Sequence, residues 1–259
     1  MKKEGICTKG IIFDIDGVLE FKGRVYEGAV ETVNALRERG MNLRFLTNST
    51  LKSRKSCAEM LCEEGFVVTM DEVITASYAT SVYLKSQNPR SCWVMLEREG
   101  LDEFKDFCHD RENPEYIVIG DYRNNFTFKN LNRALRLLMS GATLVGMMGE
   151  LVDTQAGEPE LNVGSWVQML ERASGVAATY IGNPNPYVFN LALRGMNLEA
   201  WEVAMVGDRA DTDIAGAINA GMCSILIKTG EYRERDLLGT TIPDYVLNSI
   251  RELAGLFYA

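Results

Sequence analysis

Short apolar runs alternate along the chain with stretches of helical spacing, and several of the runs end on a polar group. Gly10-Ile11-Ile12-Phe13-Asp14 has the pattern of a strand buried on both faces, and it finishes on a carboxylate. Val30, Val33 and Leu36 then recur at helical spacing, with Gly40 as a stop signal. Leu43-Arg44-Phe45-Leu46-Thr47 predicts a second strand, running into the polar cluster Thr47-Asn48-Ser49-Thr50. A helix through Cys57 and Leu61 should stop at Gly65, and Asp71 should cap another through Val73, Ala76 and Thr80 toward Lys85.

The same rhythm closes the chain. Thr179-Tyr180-Ile181-Gly182 predicts a short strand, Val188 to Leu193 a helix, and Val203 to Asp208 a strand that again ends on a carboxylate. A helix carrying Ile214, Ala217 and Ile218 should stop at Gly221, followed by strands at Ser224–Ile227 and Tyr245–Leu247. Between these halves, Cys92–Leu96, Tyr116–Gly120 and Thr143–Met147 are strand-like, while Leu101–Phe107 and Leu131–Leu138 are helix-like. Gln87-Asn88-Pro89 and Gly157-Glu158-Pro159 break the pattern. Strands alternating with helices predict an α/β protein: a Rossmann-like, doubly wound parallel sheet built from residues 1–78 and 181–259, with a second α/β unit, residues 79–180, inserted into it.

Composition narrows the partners. Across 259 residues, 27 Lys and Arg stand against 36 Asp and Glu, a formal net charge of -9. Nucleic-acid backbones and anionic membranes reward a basic surface, so neither is expected as a partner. No apolar run approaches the roughly 18 residues that a membrane helix needs, and Lys9 and Asp14 interrupt any signal-like stretch, so a cytoplasmic protein is expected. The six cysteines (Cys7, Cys57, Cys62, Cys92, Cys108 and Cys223) form no C-x-x-C pair and read as reduced, small apolar side chains. His109 is the single histidine and falls at an expected helix end. Carboxylates are therefore the expected acid–base groups.

Ligands of open parallel sheets bind beyond the carboxyl ends of the strands. Collected there are Asp14 and Asp16, Thr47 and Asn48, Gly182 and Asn183, and Asp208, Asp211 and Asp213. Carboxylates together with small hydroxyl and amide groups form a magnesium-and-phosphate constellation, since hard oxygen ligands suit Mg2+. Residues two apart on an extended chain share a face, so Asp14 and Asp16 can address one ligand before Gly17 turns the chain away. Thr47 offers a hydroxyl, and Asn48 lies at a strand-to-helix junction where N–H groups favour anions. Each feature also has a plainer reading. Asp14, Asp16 and Gly17 suit a turn, Thr47 to Thr50 a helix cap, and Asp208 with Asp213 an acidic helix start. Asp211 reads as a solvated loop carboxylate. Tyr122, Phe126 and Phe128 read as packing of the middle unit, and the methionines as core filler.

Taken together, Phe13-Asp14-Ile15-Asp16-Gly17-Val18-Leu19, Leu46-Thr47-Asn48 and Gly207-Asp208-Arg209-Ala210-Asp211-Thr212-Asp213 resemble the first, second and fourth motifs of the haloacid-dehalogenase-like phosphohydrolases. The middle unit is similar to the large α/β cap of their nitrophenylphosphatase branch, as is the run Ile225 to Tyr232. The resemblance implies a Mg2+-dependent phosphatase acting on a small phosphorylated metabolite through an aspartyl phosphate. Asp14 would be the nucleophile and Asp16 the general acid and base; Thr47 and the Asn48 amide would hold phosphoryl oxygens. Asp14, the Asp16 carbonyl and Asp208 would hold Mg2+, with Asp213 orienting the site. The cap would close over the substrate and select the leaving group, with Met147 to Val163 as specificity loops, and an exposed cap face is compatible with a homodimer. The third motif departs from the branch pattern Gly-Lys-Pro, because this chain has Gly182-Asn183-Pro184. By analogy with loss of one preorganised donor, Asn183 would slow turnover by roughly 100–1,000-fold or more. The alternative from another class is a phosphate-ligand-binding or regulatory protein that keeps the fold and has lost most turnover.

Overall fold

The computed structural model describes residues 8–154 and 157–257, so Cys7 lies outside the described residues. The chain divides into two compact units. One comprises residues up to Thr47, Cys57–Ile74 and the chain from Asn183 onward; the other comprises Asn48–Ser56 and Thr75–Gly182.

The first unit is built on a six-stranded sheet in the order Tyr245–Leu247, Cys223–Ile227, Val203–Gly207, Gly10–Asp14, Asn42–Thr47, Val73–Thr75. Gly10–Asp14 runs parallel to both of its neighbours, pairing Phe13 with Val206 on one side and with Phe45 on the other. From this central strand the chain first builds outward through Asn42–Thr47 to Val73–Thr75. It later returns to build the opposite half through Val203–Gly207. The order therefore reverses between Gly10–Asp14 and Val203–Gly207, the position where open α/β sheets leave a crevice for ligand. Asp14 and Asp208 stand at the carboxyl ends of these two strands.

The apolar runs are continuous because both faces of the sheet are covered. On one face Ile11, Phe13, Phe45, Val206 and Ile225 pack with Val33 and Leu36 of the Ala29–Glu38 helix, and with Leu61 and Leu253. Helix Pro186–Met196 buries Val188, Phe189, Ala192, Leu193 and Met196. Phe13 and Phe45 stack across neighbouring strands with ring centroids 6.0 Å apart.

The second unit has its own parallel sheet, ordered Ala178–Tyr180, Thr143–Gly146, Tyr116–Ile119, Cys92–Met95. Trp93, Ile117, Ile119 and Leu144 pack there with Ala134 and Leu138 of helix Phe128–Met139 and with Val167 and Leu170 of helix Val163–Ser174. The short piece Asn48–Ser56 is stitched into this unit by backbone and side-chain bonds. The Gly100 N–H donates to the Leu51 carbonyl at 2.8 Å, and the Asp121 N–H donates to the Thr50 hydroxyl at 3.1 Å.

Several local expectations need correction. The helix expected from Asp71 is three elements: a 3-10 turn Met70–Glu72, the strand Val73–Thr75, and the helix Ala76–Gln87. Val73-Ile74-Thr75 is a β-branched run taken up at the sheet edge. Thr75, and not Asp71, caps the helix by accepting the Tyr78 N–H at 3.1 Å. Ala178–Tyr180 pairs in the second sheet, so Asn183 does not follow a strand of the first one. Of Leu101–Phe107 only Leu101–Phe104 is helical, as the end of the 3-10 segment Arg98–Phe104. Phe128 does not pack the middle unit, being 86% exposed, whereas Tyr122 and Phe126 do. Met139 is likewise 68% exposed and no core filler. None of the described cysteines forms a disulfide. No helix among the described residues is long and apolar enough to cross a membrane.

Phe45 is fully buried on an interior strand of the first sheet. Phe45→Ala should therefore lower unfolding free energy by about 3–5 kcal/mol, read from urea denaturation of the intact chain.

Candidate active site

The site forms where strand ends and tight turns bring carboxylates together. Gly10–Asp14 ends on Asp14, whose carboxylate is partly open to solvent. The chain then turns sharply: Leu19 and Glu20 N–H groups both donate to the Ile15 carbonyl, and Gly17 adopts φ +90°, a conformation a side chain would strain. That turn leaves Asp16 partly exposed, with its Oδ2 accepting the Thr47 hydroxyl at 2.9 Å. Thr47 is the buried last residue of its strand.

Asp208 follows the neighbouring strand and is almost fully buried. Its Oδ2 accepts the Glu231 N–H at 2.6 Å. Two glycines make room for it: a Cβ at Gly17 or at Gly230 would lie 2.1 Å from the same oxygen. The Thr229 hydroxyl donates to the Gly17 carbonyl at 2.6 Å, and the Gly230 N–H donates to the Tyr26 hydroxyl at 2.9 Å. The segment Thr229–Glu231 thus ties the Gly17 turn to Asp208.

Asp213 enters from the wide π-type turn Ala210–Ile214. It accepts the Arg209 N–H at 3.1 Å and the Asn183 side-chain N–H at 2.5 Å. A Cβ on Gly207 would overlap Asp213, so this approach also depends on a glycine. Asn183, joined to Pro184 by a cis peptide, is buried just before the Pro186–Met196 helix.

Asp14, Asp208 and Asp213 each offer an oxygen within 4.8 Å of the others. Burial, followed by the charges of Asp213, Asp208 and Asp16, holds the Asp14 carboxyl well above the usual carboxylate range. Burial and then Asp213 push Asp208 up to about 8, despite the opposing bond from Glu231. Burial raises Asp213 to about 6, against the pull of Arg209 and Asn183. Three converging hard oxygen donors, each disfavoured as an isolated anion, are the donor set a divalent cation such as Mg2+ satisfies. The Arg209 guanidinium does not fill that role. It is bound at 3.1 and 3.2 Å by Asp211 and at 3.2 Å by Glu231.

Of the residues singled out in the sequence, Asp14, Asp16, Thr47, Asn183, Asp208 and Asp213 all belong to the first unit. Asp16 lies with Thr47, while Asp213 joins Asp14 and Asp208 in the oxygen cluster. Asp211 has an exposed side chain paired to Arg209. Asn48 belongs to the second unit, where its side-chain oxygen lies 2.8 Å from the position of a Cβ on Gly182. The support given to Asp208 by Thr229, Gly230 and Glu231 was not anticipated. In the sequence these residues figure only within the run Ile225 to Tyr232, whose Thr-Gly step follows the strand Cys223–Ile227 after Lys228.

Comparison with known proteins adds independent findings. Residues 11–107 match the family model of haloacid dehalogenase-like hydrolases, and residues 180–253 match a second model described as HAD-hydrolase-like. The human haloacid dehalogenase-like hydrolase domain-containing protein 2 is 32% identical over 240 residues, covering 93% of this chain and 92% of the relative. Phospholysine phosphohistidine inorganic pyrophosphate phosphatase from Rattus norvegicus is 33% identical over 236 residues, covering 88% and 86% of the two chains. Among solved structures, p-nitrophenyl phosphatase from Archaeoglobus fulgidus superposes with a TM-score of 0.90 at 27% identity, covering 96% of this chain and 98% of that one.

Proton binding by these carboxylates couples the site to stability. Asp208 and Asp213 bind protons more tightly folded than unfolded, so their contribution to stability is complete below about pH 4. It is lost as pH rises through about 6 and about 8. The metal-free protein should therefore melt at a lower temperature at pH 8 than at pH 6, by differential scanning fluorimetry. Mg2+ should raise the melting temperature more at pH 8. Equal shifts at the two pH values would contradict a cation held by these carboxylates.

Proposed function

This chain belongs to the haloacid dehalogenase-like hydrolases, and we propose that it is a Mg2+-dependent phosphatase of small phosphorylated metabolites working through an aspartyl phosphate. The observation that carries this reading is the placement of Asp14. Its partly open carboxylate ends the central strand at the point where strand order reverses, with Asp16 two residues on and with Asp208 and Asp213 beside it. The named phosphatases among its relatives support the same reaction class. In the same reading the first unit is the phosphohydrolase core and the second the substrate-selecting cap.

Asp14, Asp208 and Asp213 fit a bound Mg2+ through their converging oxygens. When bound, the ion supplies positive charge that lets anionic carboxylate and phosphate share one site. The chemistry of the chain itself follows from the two carboxylates of the first turn. An Asp14 oxygen attacks phosphorus, the bond from phosphorus to the leaving oxygen breaks, and Asp16 delivers its proton to that oxygen. Asp16, now a carboxylate, takes a proton from water as the water oxygen attacks phosphorus, releasing inorganic phosphate and restoring Asp14. The hydroxyl of Thr47 donates to Asp16 Oδ2, which fixes one carboxyl oxygen and leaves the other for proton transfer.

Asn183 stands where the family pattern places lysine. It donates to Asp213 but brings no charge to a site with three carboxylates. Turnover is therefore expected to be slow for a lack of charge near the transferring group. This deficit is a matter of degree, because Asp14, Asp16 and Thr47 remain in place.

Two substitutions test the reading. Asp14→Asn should abolish hydrolysis of p-nitrophenyl phosphate while the melting curve still shows a folded protein. Substantial turnover by purified Asp14→Asn would remove Asp14 as the nucleophile. Asn183→Lys should raise kcat for the same substrate by about 100–1,000-fold, the range associated with one oriented electrostatic donor. An unchanged kcat alongside an intact Mg2+-induced melting shift would show that position 183 is not the deficit.

A further inference from the structure

The segment Thr229–Glu231 makes three bonds to other parts of the first unit. The Thr229 hydroxyl donates to the Gly17 carbonyl, the Gly230 N–H to the Tyr26 hydroxyl at 2.9 Å, and the Glu231 N–H to Asp208 Oδ2. The Tyr232 N–H closes a turn on the Thr229 carbonyl at 3.0 Å, with Gly230 at φ +58°. This turn lies past the end of the strand Cys223–Ile227, so its position depends on these contacts and not on the sheet.

The three partners differ in how firmly they are held. Gly17 is itself part of a turn, and Asp208 is the group being positioned. Tyr26 is anchored apart from both. Its ring packs against the core layer that contains Phe13 and Leu36. Its N–H donates to the Leu19 carbonyl at 3.0 Å, and its carbonyl accepts the N–H of Ala29, which begins the Ala29–Glu38 helix, at 3.0 Å. The phenol also suits an acidic neighbourhood. Burial raises its pKa against the pull of the Gly230 N–H, so it accepts a hydrogen bond as a neutral group. A carboxylate in its place would add another negative charge beside Asp208.

We propose that Tyr26 is a positioning residue for the cation site: by holding Gly230 it keeps the Glu231 N–H on Asp208 and so fixes Asp208 for Mg2+. This rests on the Mg2+ reading above. Groups that orient a metal ligand typically contribute about 10–100-fold in metal affinity, and Tyr26, acting through the Gly230–Glu231 backbone, belongs at the low end. Its influence is on loading of the site and not on the chemistry of the loaded site.

Tyr26→Phe keeps the ring and removes the acceptor. Calorimetric titration with Mg2+ alone should give about tenfold weaker binding in this variant than in the wild-type protein. Hydrolysis of p-nitrophenyl phosphate should need about tenfold more Mg2+ for half-maximal rate, while kcat at saturating Mg2+ stays close to wild type. A merely structural role predicts the opposite split, a lower melting temperature or kcat with unchanged Mg2+ affinity, and that result overturns the proposal. Coupling is reciprocal, so Mg2+ should in turn strengthen the bond to Tyr26. Amide exchange of Gly230 in the wild-type protein, followed by NMR, should therefore slow when Mg2+ is added. This measurement decides the matter if Tyr26→Phe does not fold, and unchanged exchange overturns the proposal. If the wild-type protein takes up no Mg2+, the proposal falls with the cation site. If it binds Mg2+ and hydrolyses no phosphate ester, the phosphatase reading fails, while Mg2+ affinity and Gly230 exchange still decide the role of Tyr26.

Discussion

The mutual repulsion of Asp14, Asp208 and Asp213 is the constraint around which the first unit is organised. Their oxygens approach within 4.8 Å where burial disfavours charge, and Arg209, itself held by Asp211 and Glu231, offsets only part of the charge on Asp213. A parallel sheet tolerates this because its strand order reverses there, opening a crevice at the carboxyl ends. Charge that would be ruinous within the layer of Phe13, Phe45 and Val206 can be placed one residue beyond it. The strain is then available for binding, since any cation that enters relieves three raised carboxyl groups at once.

Holding such groups close requires backbone with no side chain in the way. Gly17, Gly207 and Gly230 serve this purpose, the first and last against Asp208 and the second against Asp213. None of the three contributes a reactive group, yet a methyl group on any of them would occupy the position of a carboxylate. The Thr229 hydroxyl and the Glu231 N–H then lock the arrangement from a loop more than 200 residues away from Gly17 in the chain. Geometry around Asp14 and Asp208 is thus determined partly by residues with no ionisable group of their own.

How much of this could be read from the sequence follows from which interactions are local. Gly10–Asp14 and Val203–Gly207 were legible because burial on both faces leaves a continuous apolar run, and each run visibly ends near a carboxylate. The family resemblance at Asp14, Asp16, Thr47 and Asp208 was legible for the same reason. What was not legible depends on pairing at a distance. Val73-Ile74-Thr75 fits helical spacing as well as a strand, and its place at a sheet edge decides for the strand. Ala178–Tyr180 has the same local pattern as a strand of the first sheet, but its partner is Thr143–Gly146. The hold of Thr229 to Glu231 on Asp208 is a contact between distant loops, and Arg209 could not be placed until its partners Asp211 and Glu231 were known.

Asn183 bears on the charge balance of the whole cluster. A lysine at that position would offset one charge of the cluster permanently; asparagine only orients Asp213 through a hydrogen bond. With the Arg209 guanidinium divided among Asp211, Glu231 and the more distant Asp213, the protein contributes mainly N–H groups to the carboxylates and leaves most of the neutralising charge to what binds. A site built this way couples its electrostatics to its occupant more tightly than one with a resident ammonium. Acidity spread over the whole chain as a net charge of -9 thereby becomes a local demand for a cation. That demand is strongest where the phosphoryl group would have to sit.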